Sequence, residues 1–256
     1  MGQPRNALDE TPSSDEAVWP VSPIGRVAAP LRDQVLDVVR QGILDFRLRP
    51  GQRLIERQLM EQLGVSRATV REVVARLASE GLVTNVPQRG AIVSVLSPEE
   101  AADIYEMRIA LEALAVQRFV ERADPEQMAQ LRSAFDDIVA LAERDDEDHL
   151  AHLRAKDAFY KVLFSGAASP PLTQVLTTLQ GRVRLLRWTS MSTPGRSKQV
   201  VPEIRAIVEA IEARNTRKAK AAVATHVRNA SASAFARMAA ERGSAALPSA
   251  AALTSG

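Results

Sequence analysis

The sequence predicts a mainly α-helical chain in two parts: three helices closed by a two-stranded hairpin, then an all-α antiparallel bundle. Three observations carry that reading. Residues 51 to 95 hold two short apolar stripes at helical spacing, split by Gly64-Val65-Ser66, and then two β-rich runs around Pro87-Gln88-Arg89-Gly90. From Ser97 to about residue 241 the apolar period stays helical, and no alternating strand pattern appears after Val95. Eleven arginines crowd residues 24 to 97 against seven carboxylates, a local excess of four positive charges in a chain whose total is +2.

Residues 1 to 24 are polar and acidic, with Pro20 and Pro23 near their end, and are expected to form a disordered arm. Ala29 to Phe46 places Leu31, Val35, Val39, Ile43 and Phe46 on one side of a first helix. Leu59, Met60 and Leu63 give a short second helix that Gly64 ends as its cap residue. Ser66 can cap a third helix, whose inner face is Val70, Val73, Val74 and Leu77 and whose outer face carries Arg67, Thr69, Arg71 and Arg76. After Gly81, Val83 to Val86 and Ile92 to Val95 read as strands joined by the loop Pro87 to Gly90. Residues 25 to 96 therefore read as a winged helix-turn-helix. Its arginine-faced helix fits the major groove of DNA, and its arginine-tipped hairpin fits a neighbouring groove.

Ser97-Pro98-Glu99-Glu100 is a capping box with proline at the first helical position, so the second part starts there. Helices are expected at about 98–122, 125–143, 147–167, 170–190, 199–213 and 215–241. Proline- and asparagine-marked breaks separate them, at Asp124-Pro125, Ser169-Pro170, Thr193-Pro194 and Asn215. They make a bundle over residues 97 to 242, and the Ala/Ser-rich ending from 243 to 256 is expected to be loose.

Composition narrows the chemistry. The 256 residues contain no cysteine, which removes disulfides, thiol nucleophiles and thiolate metal sites together. The stretch to Glu16 holds four acidic residues against Arg5, unlike a signal peptide, and no apolar run approaches bilayer thickness. A cytoplasmic location is expected. Every positive residue before Lys156 is arginine, whose rigid fork of donors suits phosphates and guanine edges. A bias toward Arg and Ala contributes, but it does not explain why arginines gather on one helix face. With three histidines, no legible nucleophile–base pair and no glycine-rich phosphate loop, an enzyme is not expected.

These motifs resemble the GntR family of transcription regulators. The segment from Arg47 to Gly51 is similar to the family's turn before its short helix. Gly64 to Arg67, Val70 to Glu72, Glu80 to Val83 and Arg89-Gly90 resemble its signatures. The run Ile104 to Glu112 resembles the first helix of the FadR-type C-terminal domain, known as FCD, so the likeness spans roughly residues 25 to 242. It implies DNA contacts by Arg57, Ser66, Arg67, Thr69, Arg71, Arg89 and Gly90. It also implies a homodimer on a pseudo-palindromic double-stranded operator, acting as a repressor, and an effector among carboxylates, sugar acids, amino acids or acyl-CoA.

An FCD domain commonly holds a metal through an aspartate and three histidines. Threaded onto that pattern, Lys156 takes the aspartate position, Tyr160 and Ile204 replace two histidines, and His226 alone remains. No metal or other cofactor is therefore expected. A one-residue shift brings in Asp157 but no second histidine, while His149 and His152 are expected to be solvated near a helix start.

Two readings stay open for the bundle's charges. Arg108 shares an apolar stripe with Ile104, Leu111 and Ala115, so it must be paired: with another helix as a structural bridge, or with the carboxylate of a small anionic effector. Lys156 points inward beside Tyr160. It can hold an anion, with Tyr160 and His226 donating hydrogen bonds, or it can bridge to a carboxylate that fills the empty metal cavity. Arg182, Arg184 and Arg187 are expected to be mostly solvated or at a dimer seam. The function expected is a DNA-binding regulator released by a carboxylate effector bound at Arg108, Lys156, Tyr160 and His226. The alternatives are an acyl-CoA effector, or an architectural DNA binder that takes none.

Overall fold

The computed structural model describes residues 31–144, 148–193 and 195–246. The acidic arm, the start of the first helix at Ala29 and the ending from 247 onward lie outside the described residues.

Helix α1 runs Leu31–Leu44 and buries Val35, Val39 and Ile43, three positions of the expected stripe. Helix α2, Glu56–Leu63, is closed by Gly64 in the left-handed conformation, φ 65°, whose N–H donates to the Met60 carbonyl. Helix α3, Arg67–Ser79, starts on Ser66, whose side chain accepts from the Thr69 N–H. Its buried face is Val70, Val73, Val74 and Leu77, as the periodicity requires.

The wing departs from the expected register. Strands β1, Val83–Val86, and β2, Gly90–Val93, pair antiparallel with Val86 opposite Gly90. The second strand starts two residues earlier than Ile92, because the turn closes within three residues. Gln88 and Gly90 both take positive φ, 63° and 79°, which reverses the chain at once. Val95, expected in the strand, is left 67 % exposed. The segment after Pro50 also joins the sheet edge: Gly51 N donates to Val93 O, Val93 N to Gln52 O, and Leu54 N to Ala91 O. That pairing is non-local and carries no periodic signal in four residues.

Six helices follow: α4 Pro98–Arg122, α5 Pro125–Glu143, α6 His149–Gly166, α7 Pro170–Met191, α8 Arg196–Glu212 and α9 Thr216–Ala246. The capping box at Ser97 forms in full, its hydroxyl accepting from Glu100 N and the Glu100 carboxylate accepting from Ser97 N. Asp124 and Gln127 make a second one at the start of α5. Helix α4 packs against α6, α7, α8 and α9, so whatever its inner face carries lies between helices. None of the described helices is long and apolar enough to cross a membrane.

The winged part is docked onto α7. Arg184 Nε donates to the Leu44 carbonyl at 2.7 Å, and Arg184 Nη2 lies 3.3 Å from Asp45, which also takes Arg154 at 3.1 Å. Phe46 stacks on Trp188, ring centroids 4.0 Å apart. Gly81, φ 71°, lies under the Arg182 guanidinium, and any Cβ there would collide with it. One apolar core runs from Val35 and Leu77 through Leu82 to Leu185 and Ile207.

Candidate DNA-binding face and buried polar site

The exposed arginines sit at the places that meet DNA in a winged helix. Arg67 is the first residue of α3 and is exposed; Arg71, one turn on, shares its face and lies 3.3 Å from Glu56. Arg57 on α2 is exposed and lies 3.2 Å from Glu61. Such solvated pairs are worth about 0–1 kcal/mol, so a phosphate can displace the carboxylate at little cost. Ser66 Oγ lies 3.0 Å from Thr69 Oγ1, so these two hydroxyls complete the N-terminus of α3. Arg89 and Gly90 stand exposed at the hairpin turn. Helix N-terminus, flanking arginines and wing tip together form a surface suited to the DNA backbone and base edges.

The bundle interior presents the opposite case. Arg108 of α4 is 1 % exposed, and its Nε donates to Glu112 Oε1 at 2.8 Å. The bridge expected to reach another helix is thus made within α4, because Glu112 stands four residues on, on the same face. Lys156 and Tyr160 of α6 are both buried. Arg187 of α7 lies over the Tyr160 ring, 4.0 Å from its centroid, and donates to Asp157 Oδ1 at 2.8 Å. Arg196 at the start of α8 forks onto Glu203, 2.7 Å to Oε1 and 2.8 Å to Oε2. His226 Nδ1 of α9 lies 2.6 Å from Glu203 Oε2, and Asn229 donates to Oε1 at 2.8 Å.

These groups feel one another. Burial, then the charges of Arg187, Arg108 and Arg196, push the Lys156 ammonium well below its ordinary range. Burial acts to raise the Glu112 carboxyl, but Arg108 and then Arg187 outweigh it and hold it below the usual carboxylate value. Glu203 is lowered to about 2: the hydrogen bonds from His226 and Arg196 overcome its burial. His226 is lowered to about 4, chiefly by burial, which the Glu203 bond only partly offsets. Burial and the nearby Glu112 charge push the Tyr160 hydroxyl up.

The cluster is incompletely satisfied. Arg108 Nη1 and Nη2, Arg187 Nε, Arg196 Nε, Tyr160 OH, Glu112 Oε2 and His226 Nε2 are buried and find no hydrogen-bond partner among the described residues. Seven orphaned atoms in one region cost far more than a packed core would, and they converge from α4, α6, α7, α8 and α9.

Several expectations need correction. Arg187 is 2 % exposed rather than solvated, because its guanidinium is held between Asp157 and the tyrosine ring. Arg184 is largely buried against the end of α1, and Arg182 covers Gly81; neither is free surface. His152 is buried on α6 rather than solvated, since Asp148 caps the helix one turn earlier and turns that face inward. His226 Nδ1 is committed to Glu203, and its Nε2 is the ring nitrogen left without a partner among the described residues.

Glu112, Arg196 and Glu203 have no place in the sequence expectations, and Arg187 has one only as surface. Glu112 was detectable as the i+4 partner of Arg108, and Glu203 as the neighbour of Ile204. Arg196 gave no local signal.

The donor set does not fit a divalent metal. Ile204 is fully buried and apolar, Tyr160 and Lys156 fill two further ligand positions, and Asp157 turns to Arg184 and Arg187. Among the described residues no three His, Asp or Glu side chains come together as ligands. A cation placed there would face Arg108, Arg187 and Arg196.

A three-helix module with a wing, joined to a helical bundle, defines a DNA-binding transcription regulator. Residues 31–93 match the model of bacterial regulatory proteins of the gntR family, and residues 103–229 match that of the FCD domain. A transcriptional regulator of the helix-turn-helix type, from the TAR-I ttuE-ttuC' intergenic region of Agrobacterium vitis, is 37 % identical over 169 residues. That alignment covers 64 % of this chain and 95 % of the relative. The nta operon transcriptional regulator of Aminobacter aminovorans is 30 % identical over 57 % of this chain and 68 % of its own. A GntR regulator structure from Rhodococcus sp. RHA1 superposes with a TM-score of 0.71 at 25 % identity, over 80 % of this chain and 97 % of that one. The chain belongs to the GntR family and carries an FCD domain; its relatives are transcription regulators, not enzymes.

Proposed function

We propose that this regulator works in the cytoplasm as a homodimeric repressor on a pseudo-palindromic operator, released by a small anionic metabolite bound inside its bundle. The observation that carries the reading is the buried polar site. Arg108, Lys156, Arg187 and Arg196 meet Glu112 and Glu203 there, with four guanidinium nitrogens left unpartnered. Buried guanidinium donors without partners call for a ligand rich in acceptors, such as an anion. Arg108, Lys156, Tyr160 and His226 contact it, and no metal takes part.

Residues 25 to 96 form the DNA-binding unit, and the effector and dimerisation unit expected over 97 to 242 continues with α9 to Ala246. Arg67 and Arg71 contact bases or adjacent phosphates, with Ser66 and Thr69 at the same helix end. Arg57 contacts phosphate, and Arg89-Gly90 enters the minor groove. A two-fold axis through the bundles lets both recognition helices reach successive major-groove faces. The exposed Met107 and Leu114 on α4, 40 % and 37 % accessible, with half-buried Leu111 between them, offer an apolar stripe for a second copy.

The test has two arms. A selected operator is titrated with full-length protein by fluorescence anisotropy. A thermal-shift screen of organic acids then seeks the ligand, since one at 100 times its Kd stabilises by about 2.7 kcal/mol. A binding acid that releases the operator is expected. A monomer at micromolar concentration that still protects both half-sites, or stoichiometric zinc in untagged protein, overturns the respective part.

A further inference from the structure

We infer that the ligand of the buried site is a small hydroxy acid, bringing a carboxylate to the Arg108 fork and its hydroxyl proton to His226 Nε2. This rests on the anionic-effector reading and adds the second half of the ligand.

The carboxylate half follows from Arg108. Its Nε is spent on Glu112, and its two terminal nitrogens are buried without partners. A planar guanidinium presents such nitrogens as a fork that matches a carboxylate. Arg187 Nε, Arg196 Nε and the Tyr160 hydroxyl are further unpartnered donors in the same region.

A bare carboxylate answers only donors. Glu112 Oε2 and His226 Nε2 are also buried and unpartnered, and both are acceptors. For Glu112 this follows from its ionised state beside Arg108. For His226 it follows from the tautomer that the Glu203 bond assigns. Glu203 already takes both terminal nitrogens of Arg196 and the Asn229 amide, so it stays ionised and only accepts. The proton in the 2.6 Å contact therefore sits on His226 Nδ1, and Nε2 keeps its lone pair. The ligand must supply a donor as well as acceptors.

Charge selects which donor. An ammonium group would sit among the buried guanidinium groups of Arg108, Arg187 and Arg196. A hydroxyl donates without adding charge. This sets hydroxy acids above amino acids and above unsubstituted mono- and dicarboxylates of equal length. A site built around hydrogen bonds to a hydroxyl rejects the analogue that lacks it, because its own buried groups are then left unpaired.

The experiment is calorimetric titration of the full chain with acids matched in length and carboxylate count: malate against succinate, glycerate against propionate, and malate against aspartate. The hydroxy member should bind about tenfold tighter or more in at least one of the first two pairs, and malate should exceed aspartate by a similar factor. His226→Leu, which keeps bulk and removes the acceptor, should shrink the hydroxyl advantage to about threefold or less. Arg108→Lys should weaken both members of a pair alike. Affinities equal within about twofold in both hydroxyl pairs overturn the hydroxyl inference and leave the anion reading standing. Aspartate binding as tightly as malate overturns the neutral-donor argument. If none of the five acids binds, both readings fall together.

Discussion

Arginines dominate two regions of this molecule under opposite physical rules. On the proposed DNA-binding surface, Arg57 and Arg71 are exposed and lean on carboxylates in solvent, where the pairing energy is small. Inside the bundle, Arg108, Arg187 and Arg196 are almost wholly buried, and each is fastened to a specific carboxylate. The surface arginines cost the fold little, and their solvated pairs yield readily to another anion. The buried ones are part of the fold and remain incompletely paired within it. That incomplete pairing is what the proposed ligand would complete.

The largest effect that can break this comparison is Arg108→Ala. It leaves Glu112 buried without its partner, and denaturant unfolding should show a loss of about 3–5 kcal/mol. An unchanged midpoint would erase the distinction between the two regions.

Next comes pH. His226 is lowered to about 4 in the fold, against an ordinary value of 6.5. Between those values the unfolded chain binds more protons, so stability is greatest above pH 6.5 and falls as pH drops toward 4, by about 3 kcal/mol at most. Glu203, lowered to about 2, acts in the same direction further down, its contribution lost as pH falls from 4.5 through 2. Melting curves of His226→Leu should be flatter between pH 6.5 and 4; a slope equal to that of the parent chain counts against a neutral buried imidazole.

On the surface, Arg67→Ala should cost about 1–3 kcal/mol of operator affinity and leave the melting temperature in place. Full operator binding by the folded variant removes Arg67 from the interface.

A subtler change sharpens the link between the regions. Asp157 holds Arg187 over Tyr160 and also holds Arg184, whose Nε caps the end of α1 through the Leu44 carbonyl. Asp157→Asn should leave ligand affinity within about threefold but weaken ligand-driven operator release about fivefold. Release at the parent ligand concentration would show that the coupling runs elsewhere.

The legibility of the two regions differs for the same reason as their energetics. Helices α1, α3 and α4 to α9 appear in the sequence because apolar period, caps and prolines are local and redundant. The capping box at Ser97 is written in four residues and forms as written. The wing's second strand starts two residues before the β-rich run suggests, since its register depends on two positive-φ residues and on pairing with residues 51 to 54. On the DNA face, an arginine at the start of a capped amphipathic helix already says which way it points. In the bundle, the inward turn of Arg108 and Lys156 was legible from their helical faces. The company they keep was not: Arg187 and Arg196 come from helices whose own patterns assign them no partner.

The sequence by itself determined the helices, the winged module and the family, because each is carried by residues close together along the chain. The tertiary structure alone decided that Arg108, Lys156, Arg187 and Arg196, from four helices, meet Glu112, Glu203, Tyr160 and His226, and which nitrogen of His226 is left without a partner. Charge pairing in a low-dielectric interior depends on distances of a few ångströms between helices far apart in sequence, and no local period encodes those distances.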